Sequence, residues 1–146
     1  MSSRLSALAA CCVALPLVAA QEGRTPVREL DLKAAVTPTA DGRVDRPRVI
    51  ATEAELTAAV PDGATRVGLV KQVNFEAEQL VLFTWTGSGR DTLTAEYKVL
   101  CSKSREAEVV FRYTPGGTAD RTAHARLFAV PKEKRTTWRV ETVTSK

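Results

Sequence analysis

The chain has few of the side chains from which catalytic and metal sites are built. Its 146 residues include one histidine and three cysteines, and two of those cysteines, Cys11 and Cys12, lie in an apolar N-terminal stretch. Beyond that stretch, Cys101 is the one cysteine and His124 the one histidine, and they are the candidates for nucleophile and base. A single cysteine and a single histidine cannot make a zinc cluster, and no Asp-rich calcium loop is present. We predict no metal site and no cofactor.

Aromatic residues are also few, at 5% of the chain, and the basic residues are interspersed with acidic ones. A nucleic-acid footprint needs clustered basic residues, and a single-strand site needs a stacking platform, so we predict no nucleic-acid binding. The stretch GSGRD at residues 87–91 starts like a dinucleotide fingerprint, but Thr92 stands where the third glycine is needed. Residues 92–99 alternate with a period of two, which predicts a strand and not the helix that would hold a pyrophosphate.

The first twenty residues are typical of a secretory signal peptide. Arg4 gives a short positive start, residues 5–18 are uncharged and apolar, and Val18-Ala19-Ala20 places small residues at a cleavage site. We expect cleavage after Ala20, export to the periplasm or the exterior, and no integral membrane span after removal of the signal. In a second interpretation, Leu8-Ala9-Ala10-Cys11 is a lipobox and Cys11 carries a lipid.

Residues 21–46 are rich in Pro, Gly, Thr and charge without a sustained period, which predicts a flexible N-terminal arm. Val27, Leu30 and Leu32 alternate imperfectly, so a short strand or docking segment is the alternative for this part. A single β-rich domain is expected over residues 47–146, beginning with a short strand at residues 48–51.

One short helix is predicted next, since Thr52 and Glu55 form a capping box and Pro61-Asp62-Gly63 ends it. Beyond Gly63 the pattern predicts β-structure throughout. Strands are expected over residues 80–85, 92–99, 106–113, 123–130 and 137–143. The predicted fold class is mainly β with one short helix, as a small antiparallel β-sandwich or half-open barrel.

Two glycine-containing segments are predicted to be turns between these strands. In the first, Gly87, Ser88 and Gly89 make a β-hairpin whose glycines supply positive φ angles, and Arg90 and Asp91 project from its tip. These five residues are the candidate binding residues, because loops on a rigid scaffold can carry binding functions. The second is the turn over residues 114–118, in which Gly116 and Gly117 are expected to take left-handed conformations.

Three segments carry a resemblance to a known family. Val73-Asn74-Phe75 leads into a central strand, Gly87-Ser88-Gly89 follows it, and Val130-Pro131-Lys132 ends a late strand. In this order the chain resembles the small secreted bacterial β-domains of the protease-stability (PrcB-like) family. Asn74 stands in place of the family's acid, and the usual Gly-Gly-Tyr after the hairpin is missing. The resemblance implies a binding or accessory role in the cell envelope and transfers no catalytic residue.

Together these patterns favour a secreted or periplasmic, non-enzymatic binding or accessory domain, whose partner is a protein or an envelope component. The alternative is a small envelope hydrolase or thiol enzyme that uses Cys101 and His124. The sequence names neither the partner nor the oligomeric state.

Overall fold

The computed structural model describes residues 26–33, 36, 43–101, 103, 106–132 and 135–144. The predicted signal peptide and the Cys11 lipobox lie outside these residues. In chain order the described elements are β1 (Arg28–Leu30), β2 (Arg48–Ile50), α1 (Glu53–Ala59), α2 (Gly63–Val70), β3 (Glu78–Gly87), β4 (Thr92–Cys101), β5 (Glu106–Thr114), β6 (Thr122–Pro131) and β7 (Thr136–Thr142).

The strands form two separate sheets, which confirms the mainly β class and favours the sandwich of the two predicted alternatives. The first sheet has the order β1-β6-β3-β2 and the second has the order β4-β5-β7. All neighbours are antiparallel except β5 and β7, which pair in parallel. This exception arises because β6 lies in the first sheet. The chain crosses to that sheet and back between β5 and β7, and so re-enters the second sheet in the same direction.

Strand β3 is buried on both of its faces. Leu80 and Leu82 contact the layer formed by the two helices, whereas Val81, Phe83 and Trp85 face the second sheet. This position explains the nearly continuous apolar run of the strand, since only a strand covered on both sides buries consecutive side chains. The molecule thus has three layers, the helices, the first sheet and the second sheet, with a hydrophobic core at each interface.

Helix α1 is capped nearly as predicted. The Glu55 backbone N–H donates to Thr52 Oγ1 at 3.2 Å, and Glu55 Oε2 accepts from the Ala51 N–H at 2.6 Å. The carboxylate reaches the residue before the N-cap, one position further than in the standard box. The helix ends at Ala59, before Pro61.

Helix α2 corrects the expectation that only β-structure follows Gly63. Asp62 caps the helix, because its Oδ2 accepts from the Thr65 N–H at 2.7 Å, and Leu69 is buried against the first sheet. Val67 and Gly68 are poor helix formers, and they obscure this helix in the sequence. Burial of Leu69 supplies the stabilisation that intrinsic propensity does not.

Part of the segment predicted as a flexible arm is instead a strand of the first sheet. Strand β1 pairs with β6, so that Leu30 lies opposite Leu127, and Val27, Leu30 and Leu32 are all buried. Arg28 adds an ion pair with Glu78, with Nη2 and Oε2 2.9 Å apart. Residues 28–30 therefore form the short strand that was the alternative to a flexible arm. The folded unit extends to the N-terminal side of residue 47.

Replacing Leu30 with alanine tests this docking. Leu30 is 5% exposed, so Leu30→Ala is expected to lower the free energy of unfolding by about 2–5 kcal/mol, measured by urea denaturation. Glu29→Ala is the matched control, since that exposed side chain pairs with Arg126 at the surface and its loss costs about 1 kcal/mol or less. Equal stability of wild type and Leu30→Ala would show that the segment does not dock.

Candidate functional site

The connection between β3 and β4 is an arch between the two sheets, not the predicted hairpin. Strand β3 pairs with β6 and β2, and β4 pairs with β5, so the two strands do not pair with each other. We call residues 87–91 the first arch. Residues 115–121 cross from β5 back to β6 at the same end of the sandwich, and we call them the second arch.

Asp91 is buried at this end and corrects the expectation of an exposed Arg90-Asp91 tip. Asp91 is only 6% exposed, and its carboxylate accepts three hydrogen bonds. The Trp85 Nε1–H donates at 3.0 Å, the Tyr113 hydroxyl at 2.7 Å and the Gly116 backbone N–H at 2.7 Å. A buried carboxylate needs such donors to replace water, and here they come from β3, β5 and the second arch.

The surroundings of Asp91 fix the charges of Asp91 and Tyr113 near neutral pH. Burial raises the pKa of the Asp91 carboxyl, but the donors Gly116, Tyr113 and Trp85 and the nearby His124 outweigh it, so that the net pKa is lowered. Burial and the bond to Asp91 raise the pKa of Tyr113 to about 12. Asp91 is therefore ionised and Tyr113 protonated over the whole physiological range, which suits a structural tie better than proton transfer.

Further hydrogen bonds hold the two arches together. The Ser88 hydroxyl bonds to the Thr118 hydroxyl, and the Gly89 N–H donates to Asp120 Oδ2 at 2.9 Å. Ser88 is buried, and its Oγ also accepts from the Arg90 backbone N–H at 3.2 Å. Of the five candidate binding residues, Ser88 and Asp91 thus point into the fold, while Gly89 and Arg90 are exposed.

Three glycines of the arches, Gly87, Gly89 and Gly116, serve close approach and not the predicted positive φ angles, whereas a Cβ on Gly117 would meet nothing within 4 Å. None of Gly87, Gly89, Gly116 and Gly117 has a φ between +20° and +160°. A Cβ on Gly87 would lie 1.9 Å from Asp91 Oδ2, and one on Gly116 would lie 2.8 Å from the carbonyl carbon of Arg90. The space that a side chain needs is occupied by the carboxylate cluster and by the opposite arch.

His124 also belongs to this cluster, which brings together the residue types of a serine hydrolase. The imidazole stacks on Trp85 with ring centroids 4.7 Å apart and planes 15° apart, and its Nε2 lies 2.8 Å from the Ser88 carbonyl oxygen. Since a carbonyl only accepts, Nε2 carries a proton and cannot take one from the Ser88 hydroxyl. The hydrogen bonds that the Asp91 carboxylate accepts come from Trp85, Tyr113 and Gly116, not from the imidazole. The contacts are therefore not those of a catalytic triad.

The structure does not bring Cys101 and His124 together. Cys101 ends β4 in the second sheet, and β4 begins beside the first arch, where His124 lies. A ten-residue strand is about 30 Å long, so a thiol–imidazole pair of the kind that thiol enzymes use does not form. Within the described residues, no group of three or more His, Cys, Asp or Glu side chains is arranged to hold a metal ion.

A groove of about 350 Å³ lies beside the cluster. Trp85 and Thr86 of its lining lie beyond Leu80–Leu82, the part of β3 that pairs with β2. The groove is lined by Arg43, Val44, Asp45, Trp85, Thr86, Tyr113 and Thr142. Sequence reasoning missed it, because its charged pair, Arg43 and Asp45, lies in the segment predicted to be flexible.

Comparisons with protein-family models, with curated proteins and with solved structures found no match for the chain. Neither helix of the described residues is long and apolar enough to cross a membrane.

Asp91→Asn is expected to destabilise the fold by about 2–4 kcal/mol at pH 7, because one buried and two partly buried donors lose a charged acceptor. The difference from wild type should be constant above about pH 5. It should shrink as the pH falls below the ordinary carboxyl pKa of 3.8 and through the lowered folded value, since protonation removes the same charge in wild type. Urea denaturation at a series of pH values measures this dependence.

Two further measurements separate this explanation from a general loss of packing. Asp120→Asn is the matched control: its carboxylate binds the exposed Gly89 N–H, and a much smaller loss is expected. In a Tyr97→Phe background, ultraviolet titration of Tyr113 should give a pKa of about 12 that falls in the Asp91→Asn variant. An unchanged Tyr113 titration would contradict the assigned bond.

Proposed function

We propose that the chain is an exported, non-catalytic binding or accessory domain of the cell envelope, which contacts a protein or envelope component through the end of the sandwich that bears the two arches. The observation that carries this proposal is the set of hydrogen bonds around Asp91. They fix the first arch to the second and leave Arg90 at the surface of a rigid loop.

Rigidity of this kind favours recognition. An exposed loop that is already held in one conformation loses little conformational entropy when a partner binds. The first arch gains its order from the buried side chains of Ser88 and Asp91, so the exposed guanidinium of Arg90 is presented on a fixed base. Arginine is enriched among the residues that dominate binding energies at interfaces.

The groove next to the cluster adds a second contact for the same partner. Trp85 and Tyr113 form part of its wall, and the exposed Arg43 and Asp45 are joined by an ion pair of 2.8 Å at its rim. Most of the lining side chains are polar or charged and Trp85 is only 2% exposed, so the groove offers hydrogen-bonding and charged groups to a partner. We therefore assign Arg90 and this groove to one binding surface.

The cellular placement rests on the sequence. The signal-like residues 1–20 support export, and the resemblance to the protease-stability (PrcB-like) domains supports an accessory role in the envelope. The placement of Cys101 at the far end of β4 from His124 supports the non-enzymatic proposal over the alternative that uses these two residues.

Arg90→Glu is expected to weaken binding of the purified chain of residues 21–146 to native envelope fractions by about tenfold or more, because it reverses the charge at the centre of the proposed surface. A saturation binding assay with labelled protein measures the apparent Kd. Lys103→Glu is the control, since it makes the same change in charge at an exposed turn between β4 and β5, at the other end of the sandwich. Equal losses for the two variants, or no loss for Arg90→Glu, would contradict the assignment.

Export is tested separately by the intact mass of the protein recovered from its native cell. We expect a mature chain that begins at Gln21, because Val18-Ala19-Ala20 provides the cleavage site. A chain that keeps residues 1–20, or one that starts at a lipid-modified Cys11, would contradict this prediction.

A further inference from the structure

Strand β4 is an unusually open edge of the second sheet. The order β4-β5-β7 places it at the edge, and within the described ranges it pairs only with β5. It is ten residues long and contains neither proline nor glycine, whereas the edge strands β1 and β2 of the first sheet have three residues each. A long edge strand offers a row of backbone N–H and C=O groups with which another chain can pair.

The most exposed large apolar side chains of the described residues lie on this same strand. Val99 is 62% exposed and Leu100 is 60% exposed. Their exposure next to an open edge has no role in the fold of one chain, and it marks the strand as a surface that a partner covers.

The charges on the outer face of β4 indicate which partner fits. Glu96 and Lys98 alternate along this face, and Tyr97 lies between them on the opposite face. Side chains that lie opposite each other in an antiparallel pair share one face of the sheet. If two copies of β4 pair antiparallel about Tyr97, each Glu96 lies opposite Lys98 of the second copy. Centring the pair on Glu96 or on Lys98 would instead oppose like charges.

We infer that the chain forms a homodimer in which two β4 strands pair antiparallel about Tyr97. The second sheets of the two copies then make one continuous six-stranded sheet. Two Glu96–Lys98 pairs form across the axis, and Val99 of each copy lies opposite Ala95 of the other. This interface is isologous, as a two-fold axis requires, and it is independent of the arch end proposed above as the binding surface.

Lys98 also makes the edge selective. A lysine on an edge strand opposes pairing with other strands, because its charge must lose water without a partner. Within one chain Lys98 Nζ lies 3.6 Å from Glu96 Oε2, and an exposed pair of this kind contributes little. A docking strand with an acidic residue in register adds a second carboxylate to Lys98, and a second copy of β4 has Glu96 there. The β-bulge between Val99 and Cys101 ends the regular edge just beyond the proposed pair, so that the pairing is confined to the part with matching charges.

The test is complementation between charge variants, followed by sedimentation equilibrium. Wild type is expected to be dimeric at about 50 µM, within the range of transient interfaces of modest size. E96K places two lysines opposite each other and K98E places two glutamates, so each variant alone is expected to dissociate about tenfold or more readily. An equimolar mixture of E96K and K98E restores both opposite-charge pairs, and it is expected to dimerise nearly as tightly as wild type.

E141K is the matched control, because it makes the same change of charge on β7, at the other edge of the same sheet, and is expected to leave the dimer intact. All proteins carry Cys101→Ser to exclude disulfide dimers, and circular dichroism checks that each is folded. Val99→Lys provides a second disruption at an exposed position if E96K is unfolded. A wild type that is still monomeric at about 500 µM, a dimer unaffected by both Val99→Lys and K98E, or a mixture that dimerises no better than its components would overturn the inference.

Discussion

The hydrogen bonds to the carboxylate of Asp91 are the constraint on which the rest of this structure depends. Hydrophobic contact between two sheets is not directional, and it tolerates small shifts of one sheet over the other. Asp91 removes this freedom, because it accepts from Trp85 on the first sheet, from Tyr113 on the second and from the backbone of the second arch. A charge buried in this way must keep all three donors in place, since each one lost leaves an uncompensated group.

This requirement determines the small residues around it. Gly87 is glycine because a Cβ would occupy the position of the Asp91 carboxylate, and Gly116 is glycine because its backbone must approach that of Arg90. His124 fills the remaining side by stacking on Trp85 and donating to the Ser88 carbonyl. The geometry of the two arches thus accounts for the presence of a serine, a histidine and an aspartate in one cluster.

The sequence predicts the strands far better than it predicts their partners. Alternation with a period of two identifies β4 and β5, and the apolar run of β3 indicates a strand. The same local pattern is compatible with a hairpin and with an arch, because the sheet that a strand joins is decided by distant residues. The donors to Asp91 lie 6, 22 and 25 residues away along the chain, so its burial had no local signal. Helix α2 was missed because its local signal was misleading, since Val67 and Gly68 are poor helix formers.

The charges on the outer face of the second sheet are exposed, unlike the buried carboxylate at the arch end. There Glu96, Arg112 and Glu141 form a chain of exposed ion pairs with separations of 3.0 and 3.7 Å. Exposed pairs of this kind contribute little to the stability of a single chain, so stability does not explain why the alternation of sign continues to the edge strand. Pairing between two chains does explain it, because a charge at an edge selects which strand can dock there. In this protein, buried charge fixes the arrangement of the sheets, and charge at the open edge of β4 selects the strand that can extend one of them.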